Sequence, residues 1–86
     1  MSSITIVGPC YNEDQNIDEY IKRVVKTVEK LNLDYKIILV DDGSEDNTWI
    51  KISEHIINNN RIHGLKFTRN FGHQAAIMAG INFANS

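Results

Sequence analysis

A chain of 86 residues holds one small domain at most, and folding at this size removes only about 60–65% of the surface that the unfolded chain exposes. With 42% apolar and 23% charged residues the composition is that of an ordinary globular domain, and no run of ~20 apolar residues is present to span a bilayer. A formal charge of −2 and a pI near 5.8, with Lys and Arg scattered, leave no basic stripe for nucleic acid or an anionic membrane.

In chain order, Ile4-Thr5-Ile6-Val7 is β-branched throughout and stops at Gly8-Pro9, so it predicts a buried first strand. Ile17, Ile21, Val24, Val25, Val28 and Leu31 recur at three- and four-residue spacing, which predicts an amphipathic helix over residues 15–31. Asn12 followed by Gln15 has the form of a capping box, with acidic Glu13 and Asp14 at the positive helix end. Ile37-Ile38-Leu39-Val40 is a continuous apolar run suited to a strand covered on both faces, and Asp41-Asp42-Gly43-Ser44 ends it. A second helix is expected from about Asp46, with Trp49, Ile52 and Ile56 inward and a polar break at Asn58-Asn59-Asn60. A third strand follows over residues 62–68, and residues 72–84 form a helix rich in Ala and Gly that can lie close to a sheet or a ligand. The order β-α-β-α-β-α predicts a Rossmann-like three-layer α/β/α fold with a parallel sheet and right-handed crossovers.

Met1-Ser2-Ser3 leads straight into the first apolar run with no basic segment before it, so a signal peptide is not expected and the cytoplasm is the default compartment. Cys10 is the sole cysteine. It has no disulfide partner within the chain and no base beside it in sequence, and it reads as a small buried side chain at a strand end.

In an open parallel sheet, ligands bind beyond the carboxyl ends of the strands. The unusual residues of this chain follow those ends: Pro9-Cys10-Tyr11-Asn12-Glu13, Asp41 to Asp46, and Arg69-Asn70-Phe71-Gly72-His73. A dinucleotide site would place glycines after the first strand, where Pro9, Tyr11 and Glu13 stand, and no Gly-Lys-Ser or Gly-Lys-Thr follows any strand. Tyr11 offers a ring face for a nucleobase, and a carboxylate after the second strand can accept from a base N–H or a ribose hydroxyl. The plainer alternative has Tyr11 packed on the first helix and Asp42 capping a turn. Adjacent Asp41 and Asp42 point to opposite sides of a strand end, which argues against one cation held by both. An acidic pair after the second strand also differs from a receiver-like domain, where it would follow the first.

At these residues the sequence resembles the family-2 glycosyltransferases of GT-A fold, in particular the group of dolichyl-phosphate mannose synthase and bactoprenol glucosyltransferase. The resemblance rests on three segments in order: Val7-Gly8-Pro9-Cys10-Tyr11-Asn12-Glu13, Leu39-Val40-Asp41-Asp42-Gly43-Ser44-Glu45-Asp46-Asn47-Thr48, and Arg69-Asn70-Phe71-Gly72-His73-Gln74-Ala75-Ala76. It implies that residues 1–86 are the N-terminal, nucleotide-binding portion of a GT-A domain. Pro9, Tyr11, Glu13, Val40 and Asp42 would line the pocket of a UDP-sugar or GDP-sugar, and residues 69–73 would approach the diphosphate. The implied reaction is transfer of a hexose to an acceptor, polyprenyl phosphate, with inversion. The Asp-x-Asp motif that holds Mg²⁺ or Mn²⁺ in the family is absent here and would follow residue 86. The resemblance further implies a fragment inactive by itself and a complete protein at the cytoplasmic face of a membrane. An unpaired edge on the first strand and exposed apolar helix surface lead to an expected self-association of the fragment, a monomer with its last helix folded over the gap being the alternative. A nucleotide-binding or interaction module without catalysis is the alternative.

Overall fold

The computed structural model describes residues 2–85, with elements β1 (Ser3–Cys10), α1 (Ile17–Lys30), β2 (Asp34–Asp41), α2 (Thr48–Asn58), β3 (Ile62–Lys66) and α3 (His73–Ala84). Among these residues the three strands form one parallel sheet in the order β1-β2-β3, with β2 central. Alternation along β2 decides the layers, because successive side chains leave a strand on opposite faces. Ile37 and Leu39 join Ile17, Ile21, Val28 and Ile52 beneath α1 and α2, whereas Ile38 and Val40 join Ala76 beneath α3. Burying the four side chains of Ile37 to Val40 contributes about 1.5–3 kcal/mol each, so the central strand is the energetic spine of the domain.

α3 lies on β1 and β2 at very short range. A Cβ on Gly80 would sit 2.3 Å from Val7 Cγ1 and 3.2 Å from Val40 Cγ2, which is why the small residues of this helix face the sheet. The outer surface of α3 carries exposed Ile77, Met78 and Ile81 beside polar His73, Gln74 and Asn82.

Three local expectations are corrected. β1 continues through Gly8 and Pro9 to Cys10, because the Asp42 amide donates to Cys10 O and even-numbered residues of β1 therefore bond to β2. Pro9 falls on the outer edge, where its missing N–H interrupts no ladder. Asn12 and Gln15 form no capping box; α1 starts at Ile17 without a side-chain cap, and Asn12 takes a left-handed φ of 50° for use elsewhere. Leu31 falls just past α1 and is exposed, since the chain turns there through Asn32 at φ 54°.

Candidate functional site

The connection after β1 leaves on the α1 face, and α3 crosses β1 and β2 on the opposite face. A crevice opens where the two diverge, beyond the carboxyl end of β1. It has a volume of about 410 Å³ and is lined by Pro9, Cys10, Glu13, Asn16, Tyr20 and His73, with Ile17 at its base. Tyr20 packs over the backbone of Gly8: a Cβ there would lie 2.8 Å from the Tyr20 hydroxyl.

The first loop (residues 11–16) is stitched to the second (residues 42–47) by side chains of known partner. Three successive amides are involved: Asn12 N–H donates to Ser44 Oγ (2.8 Å), Glu13 N–H to Thr48 Oγ1 (2.8 Å) and Asp14 N–H to Asp46 Oδ2 (3.2 Å). The second loop is held in return, with Glu45 N–H donating to Asn12 Oδ1 (2.9 Å) and Asn47 N–H to Asp14 Oδ2 (3.3 Å). Lys51 Nζ donates to the Asp14 carbonyl. Successive amides around a left-handed residue commonly form an anion-binding concavity. Here they are already engaged, so the first loop presents side chains to a ligand rather than backbone N–H groups.

Asp46 ties this stitching together. Partial burial alone raises its pKa, but hydrogen bonds from the Thr48 hydroxyl and amide and from the Asp14 amide outweigh burial and hold the carboxyl below its ordinary value. It stays ionised near neutral pH, as an acceptor of several hydrogen bonds must.

Asp41 and Asp42 part as their alternation requires. Asp41, fully buried, accepts from Ser44 N–H at 3.1 Å through Oδ1, while Oδ2 has no hydrogen-bond partner among the described residues. Asp42 turns to the third loop (residues 67–72) and accepts from Phe71 N–H (2.8 Å), Gly72 N–H (3.1 Å) and Asn70 Nδ2 (3.2 Å). Gly43, at φ 75°, lets that loop rest directly on the second: a Cβ there would lie 2.2 Å from the Arg69 carbonyl carbon. Gly72, at φ 100°, starts α3 in a conformation that is essentially glycine's alone.

Of the residues singled out from sequence, Pro9 and Glu13 line the crevice together. Tyr11 stands between them in sequence with 43% of its surface exposed. Val40 is fully buried beneath α3, and Asp42 is buried with its carboxylate engaged. Arg69 lies over the Phe71 ring, 4.6 Å from its centroid. Sequence reasoning missed Asn16 and Tyr20 as lining residues and Ser44, Asp46 and Thr48 as braces; His73, expected with residues 69–73 at this edge, lines the crevice. The Ser-x-Asp-x-Thr spacing was visible, but it reads equally as a local turn followed by a helix start. Cys10 is inert: burial first, then the negative charges of Asp41 and Glu13, push its thiol up to about 12. No group of three or more His, Cys, Asp or Glu among the described residues is placed to hold a metal ion.

An open parallel α/β sheet with its crevice at the divergence of two crossovers defines a Rossmann-like fold. More narrowly, the chain belongs to glycosyl transferase family 2, whose family profile matches residues 5–86. It is 36% identical over 86 residues to an undecaprenyl-phosphate 4-deoxy-4-formamido-L-arabinose transferase of Proteus mirabilis (strain HI4320), covering 99% of this chain and 26% of that protein. Two uncharacterized glycosyltransferases are similar at like coverage: one of Bacillus subtilis (strain 168), 39% identical over 96% of this chain and 26% of its own length, and one of Synechocystis sp. (strain ATCC 27184 / PCC 6803 / Kazusa), 36% identical over 94% and 26%. The chain therefore spans about a quarter of the length of these relatives. Three parallel strands alternating with helices agree with the N-terminal half of a GT-A fold.

Proposed function

We propose that residues 1–86 are the nucleotide-binding portion of a transferase that moves a hexose from a UDP-sugar or GDP-sugar to polyprenyl phosphate, inverting the anomeric carbon. The observation that carries this reading is the crevice beyond β1, with Pro9 and Glu13 on its wall and an exposed Tyr11 between them on a backbone braced by the second loop. In this reading the Tyr11 ring stacks on the base and Glu13 accepts from ribose hydroxyls. Val40, buried beneath α3 and not lining the crevice, would support the pocket only from behind. Asp42 closes it and anchors the third loop, and a base N–H reaching Asp42 has to share oxygens that already accept from Asn70, Phe71 and Gly72. The polyprenyl acceptor is the one that the sequence resemblance implies, and the name of the Proteus relative supports it. That name specifies a derivative of a five-carbon sugar, so hexose rests on the sequence resemblance.

Mg²⁺ or Mn²⁺ would neutralise the leaving diphosphate in the complete protein, on carboxylates outside this chain. The carboxylates here do not fit that task, because Asp41 and Asp42 turn to separate loops and no metal-binding group is assembled among the described residues. We therefore assign nucleotide binding without sugar transfer to the 86-residue chain alone. No helix among the described residues is long and apolar enough to cross a membrane. We place the chain in the cytoplasm and the complete protein at the cytoplasmic membrane face, where a polyprenyl phosphate would be met. The open outer edge of β1 and the apolar face of α3 support self-association of the isolated chain.

Isothermal titration of the chain with UDP, GDP and NAD tests the reading. Binding of UDP or GDP, weakened by about 1–3 kcal/mol in Tyr11→Ala as expected for loss of a base-stacking ring, supports it. Binding of neither, or tighter binding of NAD, refutes it. A stand-alone binding module would titrate alike; transfer of labelled sugar to polyprenyl phosphate by the parent polypeptide separates the two.

A further inference from the structure

We infer that Ser44, Asp46 and Thr48 are positioning residues that set the nucleotide affinity of the first loop by holding its three successive amides, an assignment that rests on the nucleotide reading above. The two side chains offered to the ligand, Tyr11 and Glu13, flank Asn12, whose φ of 50° lies in the left-handed region that Asn tolerates better than most residues with a side chain. Nothing within residues 11–16 imposes that conformation: the hydrogen bonds inside the segment run from Asn16 to Glu13 and leave Asn12 out. It is held from the second loop and the first residue of α2, through Ser44 Oγ and Thr48 Oγ1 on the amides of Asn12 and Glu13 and through Glu45 N–H on the Asn12 side chain.

Thr48 is the most constrained of the three. It is fully buried, its hydroxyl accepts from Glu13 and donates to Asp46, and its amide also donates to Asp46. Rotation of the hydroxyl away from Glu13 would leave the Glu13 amide without its partner and cost Asp46 one of its hydrogen bonds, so the brace favours one arrangement. A ligand that needs Tyr11 and Glu13 in one geometry then meets that geometry already formed. When the competent fraction of a loop falls tenfold, apparent affinity falls by the same factor.

The experiment measures UDP and GDP dissociation constants by calorimetry for the wild-type chain, Thr48→Val, Thr48→Ser, Ser44→Ala and Ile52→Val, with amide exchange of Asn12, Glu13 and Asp14 followed by NMR. Ile52 is a buried apolar residue of α2 that takes no part in the hydrogen bonds between the loops, so Ile52→Val lowers stability without removing a bond of the brace. The inference expects Thr48→Val and Ser44→Ala to weaken binding about tenfold with faster exchange of those amides. Thr48→Ser, which keeps the hydroxyl, and Ile52→Val should stay within about twofold. Wild-type affinity in a folded Thr48→Val, or in Ser44→Ala should Thr48→Val not fold, overturns the assignment. An equal loss in Ile52→Val also overturns it, because the effect is then general stability. A wild-type chain that binds neither nucleotide instead removes the functional reading on which the assignment depends.

Discussion

Replacing Gly43 with alanine probes the contact that joins the second and third loops. At φ 75° an L-residue costs about 1–2 kcal/mol. The new Cβ would also lie 2.2 Å from the Arg69 carbonyl carbon, 2.4 Å from Asn70 N and 2.6 Å from Arg69 O, all backbone atoms without a rotamer to move aside. Overpacking of this kind adds about 1–3 kcal/mol, for a total of about 2–5 kcal/mol. A domain of 86 residues has about 4–13 kcal/mol of stability in all, so this substitution removes a large part of it. Gly72→Ala is the control: its φ of 100° is also glycine's, yet a Cβ there meets nothing within 4 Å, and backbone strain alone costs about 1–3 kcal/mol. Urea unfolding of the three chains, read at equal m-value, measures the difference. Gly43→Ala costing no more than Gly72→Ala would show that the third loop does not rest on Gly43.

Cys10 should resist an aromatic disulfide reagent at pH 8 in the folded chain and react at once in urea; fast native reaction would contradict its burial and its thiol raised to about 12. Because the folded value lies above the ordinary 9.0, the unfolded chain loses this proton first, so stability conferred at neutral pH should decline as pH rises from about 9 toward 12 in wild type and less in Cys10→Ala. Mn²⁺ should barely change nucleotide affinity of this chain, and a large saturable effect would mean that Asp41, Asp42 or Glu13 coordinates metal after all. Sedimentation equilibrium should show a concentration-dependent dimer; a single species at 9.8 kDa across all concentrations would show that the β1 edge and the α3 face stay unpartnered.

The six elements and their faces were legible because each depends on neighbours within a few residues. The apolar run from Ile37 to Val40 identified the strand buried on both sides, and the spacing of Ile17, Ile21 and Val28 identified the buried stripe of α1. Errors fell where a local signal had a distant use. Gly8-Pro9 read as a stop, yet Pro9 continues the strand because the phase of the ladder sends its missing N–H outward. Asn12 read as half of a capping box, yet its side chain accepts from Glu45.

From sequence alone, then, came the alternating architecture, the convergence of three polar loops on one sheet edge, the opposite facing of Asp41 and Asp42, and the family. Tertiary structure decided who binds whom at that edge: Asp42 holds the third loop, Ser44, Asp46 and Thr48 hold the first, and the crevice takes Asn16 from the first loop, Tyr20 from α1 and His73 from α3. The physical reason is range. Periodicity and propensity act between residues a turn or a pleat apart, whereas the Glu13–Thr48 and Asp42–Phe71 hydrogen bonds join positions 35 and 29 residues apart and exist only after the crossovers have packed the strands side by side.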